Sequence, residues 1–178
     1  ITDNPIVLRR TLGKGILDKE KAFNYGITGV NLRASHVDLD FRNQDSLYKG
    51  FDFRTIVMNE QDSWARYKAR ILEIKESMNI VHQALEYLKK ADKLEQKLIN
   101  PINLKLPEGE YYSQIEAPRG LAGCYVKSDG SDKPYRLKWR TGSYYAVNLL
   151  RELLVGEYLN DAIAIAGSLE IILPEVDK

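Results

Sequence analysis

Trp64, Tyr67, Ile71, Ile74, Met78, Val81, Leu85 and Leu88 recur at alternating spacings of three and four. On an α-helix that spacing lines every one of them along a single narrow seam. The pattern predicts a continuous helix from about Glu60 to Ala91, roughly 48 Å long at 1.5 Å per residue, enough to organise a whole domain. Arg66, Lys68, Glu73, Lys75, Glu76 and Lys89 fall elsewhere on the helix and read as its solvated face. Gly- and Pro-rich segments flank the helix on both sides, which favours a seam packed on its own domain over a freestanding coiled coil. The periodicity fades beyond Lys93, and Pro101 forbids continuation.

After this helix the period changes from three-and-four to two. Tyr135, Leu137 and Trp139 alternate with Arg136, Lys138 and Arg140, the pattern of a strand with one buried and one wet face. GCYVK, residues 123–127, supplies a second strand, and SDGSDKP supplies Asp-Gly turn chemistry and a proline between them. The expectation is an antiparallel hairpin. Upstream, residues 1–57 read as turn-rich and irregular. Asp18 is placed to cap a short helix closed by Gly26, and GITGVNLRASHVDLDFR reads as loop with a short central strand. Downstream, YYAVNLLRELL and DAIAIAGSL read as two short helices, the first stopped by Gly156 and the second capped by Asn160 or Asp161, with no further element in EIILPEVDK. The fold class is therefore α+β, with residues 1–57 irregular, 58–100 a long bundle helix and 108–178 a small hairpin with two helices, all one compact unit.

Composition excludes several functions. The chain has 178 residues, 44% of them hydrophobic, with 26 basic against 25 acidic residues and a formal net charge of +1. That is enough for one sizeable core. It is also a poor electrostatic footprint for nucleic acid, despite the basic, aromatic-flanked strand around Trp139. No window approaches the roughly 18 apolar residues of a membrane span, no leader pattern opens the sequence, and the expectation is a soluble chain. The opening ITDNPIVLRR lacks a methionine and reads as a chain cut from a longer one. The single cysteine, Cys124, cannot form an internal disulfide or a cysteine-only metal site, and a reducing compartment follows as the default.

Few residues carry chemistry on their own. His36 and His82 fall in no metal-ligand spacing. TLGKG, residues 11–15, lacks the spacing of a phosphate-binding loop. Cys124 lies in an expected strand and reads as an inert core thiol. No complete catalytic set is present, and something must come from a partner.

The run IEAPRGLAGCYVKSDGSDKPYRLKWR, residues 115–140, resembles the quinone-site large subunit of complex I, a family itself related to the large subunits of nickel-iron hydrogenases. RTLGKG, AFNYGITGVNLRAS and DSWARYKARILEIKES extend the resemblance over nearly the whole chain. It implies the C-terminal half of a hydrogenase-large-subunit-like fold. In the hydrogenase relatives the Pro-Arg of EAPRG arches over a metal site, which places Pro118 and Arg119 there. From the residues alone, a proline that ends pairing and a glycine that lets the chain return push the intervening arginine out of the ladder; a simple bulge with Arg119 paired to Glu116 or another carboxylate is the plainer reading.

The tail separates the relatives. Hydrogenases of this superfamily end in a D-P-C-x-x-C segment whose cysteines hold nickel and iron, whereas this chain reads SLEIILPEVDK. Ile172 and Glu175 stand at the cysteine positions, and neither supplies a thiolate, so no nickel-iron centre is expected. The tail PEVDK favours the quinone-linked branch. Ala65, His36, Glu170 and Lys178 depart from that family's pattern, RTGSYYAVN differs from its usual segment, and the link from the long helix to EAPRG is short. A cysteine-less subunit of a ferredoxin-linked, hydrogenase-related membrane complex is thus an alternative, as is a non-catalytic scaffold. The resemblance implies a component of NADH:quinone oxidoreductase, inactive in isolation and peripheral on the cytoplasmic face of the membrane. Its partners would be the missing N-terminal half of the subunit, an iron-sulfur subunit carrying a 4Fe-4S cluster, and other peripheral-arm and membrane subunits. Quinone would be the substrate, and the chain itself would bind no cofactor or metal. The candidate cavity residues are Glu116, Pro118, Arg119, Glu170, Asp177 and Lys178, with Glu170, Glu175 and Asp177 a crowded acidic group that needs Arg119 and Lys178 as cations.

Overall fold

A computed structural model describes residues 4–90 and 105–177. The end of the expected helix segment over 91–100, the short link to the hairpin and Lys178 lie outside the described residues. The described residues form an α+β fold: four helices and two 3₁₀ turns, a three-stranded antiparallel sheet, then three helices.

The long helix is present. α4 runs Ser63–Lys89 without interruption, and Asp62 caps it by accepting the Ala65 N–H at 2.8 Å. This end of the helix is clamped by the TLGKG segment. The Gly13 N–H donates to Asp62 Oδ2 at 2.7 Å, and Lys14 offers its carbonyl to both the N–H and the hydroxyl of Ser63. TLGKG is therefore the seat of a helix start, in keeping with its failure to match a phosphate loop.

What α4 buries differs from expectation. Ala65, Ala69 and the wholly buried Arg66 face the interior together with Glu76, while Ile74, Met78, Val81, Leu85 and Leu88 are exposed. Trp64, Tyr67 and Ile71 of the seam are half-buried, its later part from Ile74 to Leu88 is not covered by the described residues, and Arg66 and Glu76, expected on the wet face, are buried. The reason lies in reach. A helix passing close to α3 (Val30–Arg33) and α6 (Leu159–Leu169) needs small residues at the contact, and Ala65 and Ala69 supply them, packing in one cluster with Val30, Ala34 and Met58.

The irregular opening segment contributes much of the core. α1 (Pro5–Thr11), α2 (Lys19–Asn24) and α3 (Val30–Arg33) are short helices, and α3 stands where a strand was expected. Asp18 caps α2 as its sequence position implies, accepting the Lys21 N–H at 2.8 Å. Leu17, Ala22, Ile27, Leu32 and Val37 from this segment pack with Ala146, Leu149, Leu153, Ile165 and Leu169 of α5 (Gly142–Leu154) and α6 (Leu159–Leu169). Tyr158, not Asn160 or Asp161, precedes α6, and a further turn of helix, α7 (Leu173–Val176), occupies the tail.

The sheet has one strand more than the expected hairpin. β1 (Gly109–Ala117), β2 (Gly120–Ser128) and β3 (Arg136–Arg140) run in order, with Ala117 opposite Gly120 and Val126 opposite Leu137. Pro118 and Arg119 are thus the two-residue turn of the β1–β2 hairpin, not a bulge within a strand. Proline suits that position because its fixed φ starts a turn and it needs no ladder partner. Leu137 and Trp139 on the edge strand β3, and Tyr135 just before it, are not buried but remain about half exposed or more. Among the described residues no helix is long and apolar enough to cross a membrane.

Candidate functional site

The turn is held from two sides by glycine. Gly29, at φ +70°, lets its backbone approach Gly120 so closely that a Cβ on Gly29 would lie 2.4 Å from the Gly120 Cα. Across the turn, a Cβ on Gly142 would fall 1.9 Å from the Arg119 carbonyl oxygen. The Leu121 N–H donates to Thr28 Oγ1 at 2.9 Å and completes the clamp. Because any side chain at these contacts would move backbone, the two glycines determine where Arg119 emerges.

From there Arg119 reaches the tail. Its Nε donates to the Glu170 carbonyl at 3.1 Å and its Nη1 to Glu175 Oε1 at 3.2 Å. The other Glu175 oxygen accepts the Ser143 hydroxyl at 2.6 Å, and Thr141 donates to the Glu175 carbonyl at 2.6 Å. Ser143 Oγ in turn accepts the Ile172 N–H at 3.2 Å. Start of α5, hairpin turn and tail are joined in one hydrogen-bonded unit. Ile172 and Glu175 offer no thiolate, and Glu175 is engaged by Arg119 and Ser143, so these residues do not fit a nickel-iron centre. Among the described residues no group of three or more His, Cys, Asp or Glu side chains is arranged to hold a metal ion.

Glu170 turns the chain after α6 with a left-handed backbone, φ 57°. Its carboxylate pairs with Arg70 Nε at 3.0 Å. Arg70 also donates to the Ser168 carbonyl at 2.6 Å and to Asn31 Oδ1 at 2.9 Å, so α4, α3 and the end of α6 meet at one guanidinium. One turn earlier on α4, Arg66 donates to Ser168 Oγ, the Gly15 carbonyl and Ser63 Oγ, each at 2.9 Å. Burial, with the nearby Arg70 charge second, pushes Arg66 down to about 9.

Arg33 centres a second group. Its Nε and Nη2 bind Glu73 Oε1 at 2.9 and 2.8 Å, and its Nη1 binds Glu116 Oε1 at 2.7 Å. Asp40 lies 3.8 Å away and is gripped by Arg42 through both oxygens. Burial alone pushes Asp40 up, but the Arg42 hydrogen bonds and the Arg33 charge outweigh it and hold the carboxyl below its usual range. Glu116 goes the other way: burial raises it, against the pull of Arg33.

These groups surround a cavity of about 410 Å³ lined by Arg33, Arg70, Glu73, Glu116, Pro118 and Glu170, together with Tyr48 and Arg42. Of the residues singled out from sequence, Glu116, Pro118 and Glu170 thus meet at one cavity, and Arg119 is bonded to Glu170 just behind it. Glu116 pairs with Arg33 and not with Arg119. Asp177 does not join the group; it is solvent exposed at the end of α7. The motifs AFNYGITGVNLRAS and DSWARYKARILEIKES contain Arg33, Arg70 and Glu73 without assigning them a place in the site, and Asp40 lies in neither. For Arg66, Arg70 and Glu73 a signal of another kind existed: they share the spacing of Ala65 and Ala69 on one helical face. Arg33 and Asp40 lie in a segment without periodicity.

A sequence model of the family described as "Respiratory-chain NADH dehydrogenase, 49 Kd subunit" matches residues 1–178. The chain belongs to this family. Among its relatives, a subunit of the NADH-quinone oxidoreductase of Geobacillus thermodenitrificans (strain NG80-2) is 44% identical over 99% of this chain, and the same subunit from Geobacillus kaustophilus (strain HTA426) is likewise 44% identical. The corresponding subunit of Bacillus anthracis is 42% identical. The chain spans about half the length of these curated relatives, 48% in each case. The matched residues include the EAPRG, SDG and PYR segments that carry the resemblance.

Proposed function

We propose that this chain is the C-terminal part of the quinone-site subunit of an NADH:quinone oxidoreductase, and that its hairpin turn and tail form part of the quinone cavity wall. The observation that carries the reading is the convergence of Glu116, Pro118 and Glu170 on one cavity, with Arg119 tying the turn to Glu170 and Glu175. A wall of this kind supplies rigid polar groups whose positions do not depend on the occupant. That the named relatives are all the same subunit of NADH-quinone oxidoreductase favours this reading over a ferredoxin-linked complex or a scaffold. Electrons would come from a 4Fe-4S cluster in an adjoining iron-sulfur subunit, and quinone would be the acceptor; this chain would position, not carry, the redox group. It works only within the assembled complex, peripheral on the cytoplasmic face of the membrane, with the other peripheral-arm and membrane subunits around it.

The exposed seam of α4 fits the same reading. Ile74, Met78, Val81 and Leu85 border an apolar surface groove, and the rest of the subunit is the partner we assign to it. Arg119→Lys tests the wall. Lysine keeps the charge but loses the planar fork that spans Glu170 and Glu175. Assembly is expected to be normal and quinone turnover reduced at least about tenfold, a loss of about 1.4 kcal/mol in transition-state stabilisation. Wild-type turnover in the assembled variant would count against the wall.

A further inference from the structure

Glu116 is anomalous within its cluster. Asp40, Glu73 and Glu116 bring three carboxylates to Arg33 and Arg42, two guanidiniums, so the group carries one negative charge too many if every member is ionised. Asp40 has both oxygens on Arg42, and Glu73 takes two donors of Arg33. Glu116 receives a single donor at Oε1. Its Oε2 is buried and has no hydrogen-bond partner among the described residues, although the residue lines the cavity. An ionised oxygen left this way is costly, whereas a proton on Oε2 removes the excess charge and leaves the Arg33 bond to Oε1 intact.

The surroundings offer no other remedy. Arg33 faces Glu116 from α3, Glu73 from α4, and Asp40 with Arg42 from the segment after α3. Arg70 and Glu170, which also line the cavity, neutralise each other, and Leu121, the β2 partner of Glu116, is apolar.

We propose that Glu116 is the proton-holding residue of this cavity, neutral in the resting protein, and that it gives its proton to an oxyanion formed on the cavity's occupant. The second half rests on the quinone-wall reading. In the step, the Glu116 O–H bond breaks and an O–H bond forms on the oxyanion of a quinone reduced by the iron-sulfur partner. The carboxylate left behind stays paired with Arg33, and a solvent proton reloads it. Burial raises the Glu116 carboxyl, the direction that favours holding a proton.

The test uses the assembled complex with Glu116→Gln, which keeps the shape and the acceptor for Arg33 but has no removable proton, and Glu116→Asp. Storage is read without quinone, from thermal inactivation of the resting complex. A carboxyl raised in the folded state is protonated there while the unfolded chain ionises above about pH 4.3, so wild-type stability declines as pH rises toward the folded value. Glu116→Gln has no such decline, and its melting advantage over wild type is expected to widen as pH rises above the unfolded carboxyl value of about 4.3. Delivery is read from quinone reduction: Glu116→Gln loses turnover by about a hundredfold and loses the alkaline limb of the pH profile, at unchanged quinone KM, and Glu116→Asp restores the limb. A melting difference that does not vary with pH overturns storage. Wild-type turnover and pH profile in Glu116→Gln overturn delivery. Should the quinone-wall reading itself fail, Arg119→Lys would also be fully active while the widening melting difference remained, so the two failures are distinguishable.

Discussion

The two halves of α4 present opposite surfaces for their composition. From Ser63 to Ala69 the helix buries serine, alanine and arginine; from Ile74 to Leu88 it shows isoleucine, methionine, valine and leucine to solvent. The first half is inside with most of its polar groups answered, Arg66 by Ser63, Gly15 and Ser168 and Arg70 by Asn31, Ser168 and Glu170. Arg66 Nη1 stays buried with no hydrogen-bond partner among the described residues. Buried charge is tolerated when its donors find acceptors. The second half is outside because nothing in the described residues covers it. An apolar stripe states that a surface needs a partner, but it does not state where that partner lies in the polypeptide.

The largest expected effect is on the polar side. Arg33→Leu removes the cation that Glu73 and Glu116 share, leaving the largely buried Glu73 carboxylate without it and Glu116 without its donor. Breaking a buried ionic group by deleting one member costs about 3–5 kcal/mol, which thermal or denaturant melting should show as a severe loss of folded protein. A near-neutral result would mean the cluster is more hydrated than its burial suggests. Next in size is Gly142→Ala. Its Cβ would meet the Arg119 carbonyl at 1.9 Å, so the turn must shift, at an expected cost of about 1–3 kcal/mol. Turnover of the assembled complex should fall with it, because Arg119 moves off Glu175; loss of stability without loss of turnover would separate the clamp from function. The smallest effect on this chain's own stability belongs to the apolar half. Met78→Lys is expected to change it by no more than about 0.5 kcal/mol, as at other exposed positions. Co-purification with the rest of the subunit should nevertheless fall. An equal loss in chain stability would show that the seam is already covered.

α4, the α2 cap at Asp18 and the β2–β3 hairpin are legible in the sequence because each depends on local spacing. Period, cap and turn residues act within a few positions. β1 is less legible: Tyr111, Tyr112 and Ile115 fall among polar residues, and its pairing depends on the Pro118–Arg119 turn returning the chain onto it. α3 reads as strand from sequence because its four residues are too few to show a helical period, and its helix is held by packing, not by propensity. In the candidate site, Arg119 and Glu170 stand out through the motifs that contain them. Arg33 with Glu116 cannot, since 83 residues separate them and the pair exists only once α3 and β1 meet.

The central claim is that quinone lies against the wall made by the β1–β2 turn and the tail. Photo-crosslinking with an azido-quinone in the assembled complex, followed by peptide mapping, tests it most directly. Label is expected within 115–120 or 169–176, competed away by excess quinone and diminished by Arg119→Lys. Competable label confined to other parts of the complex, with these two segments unmarked, would contradict it.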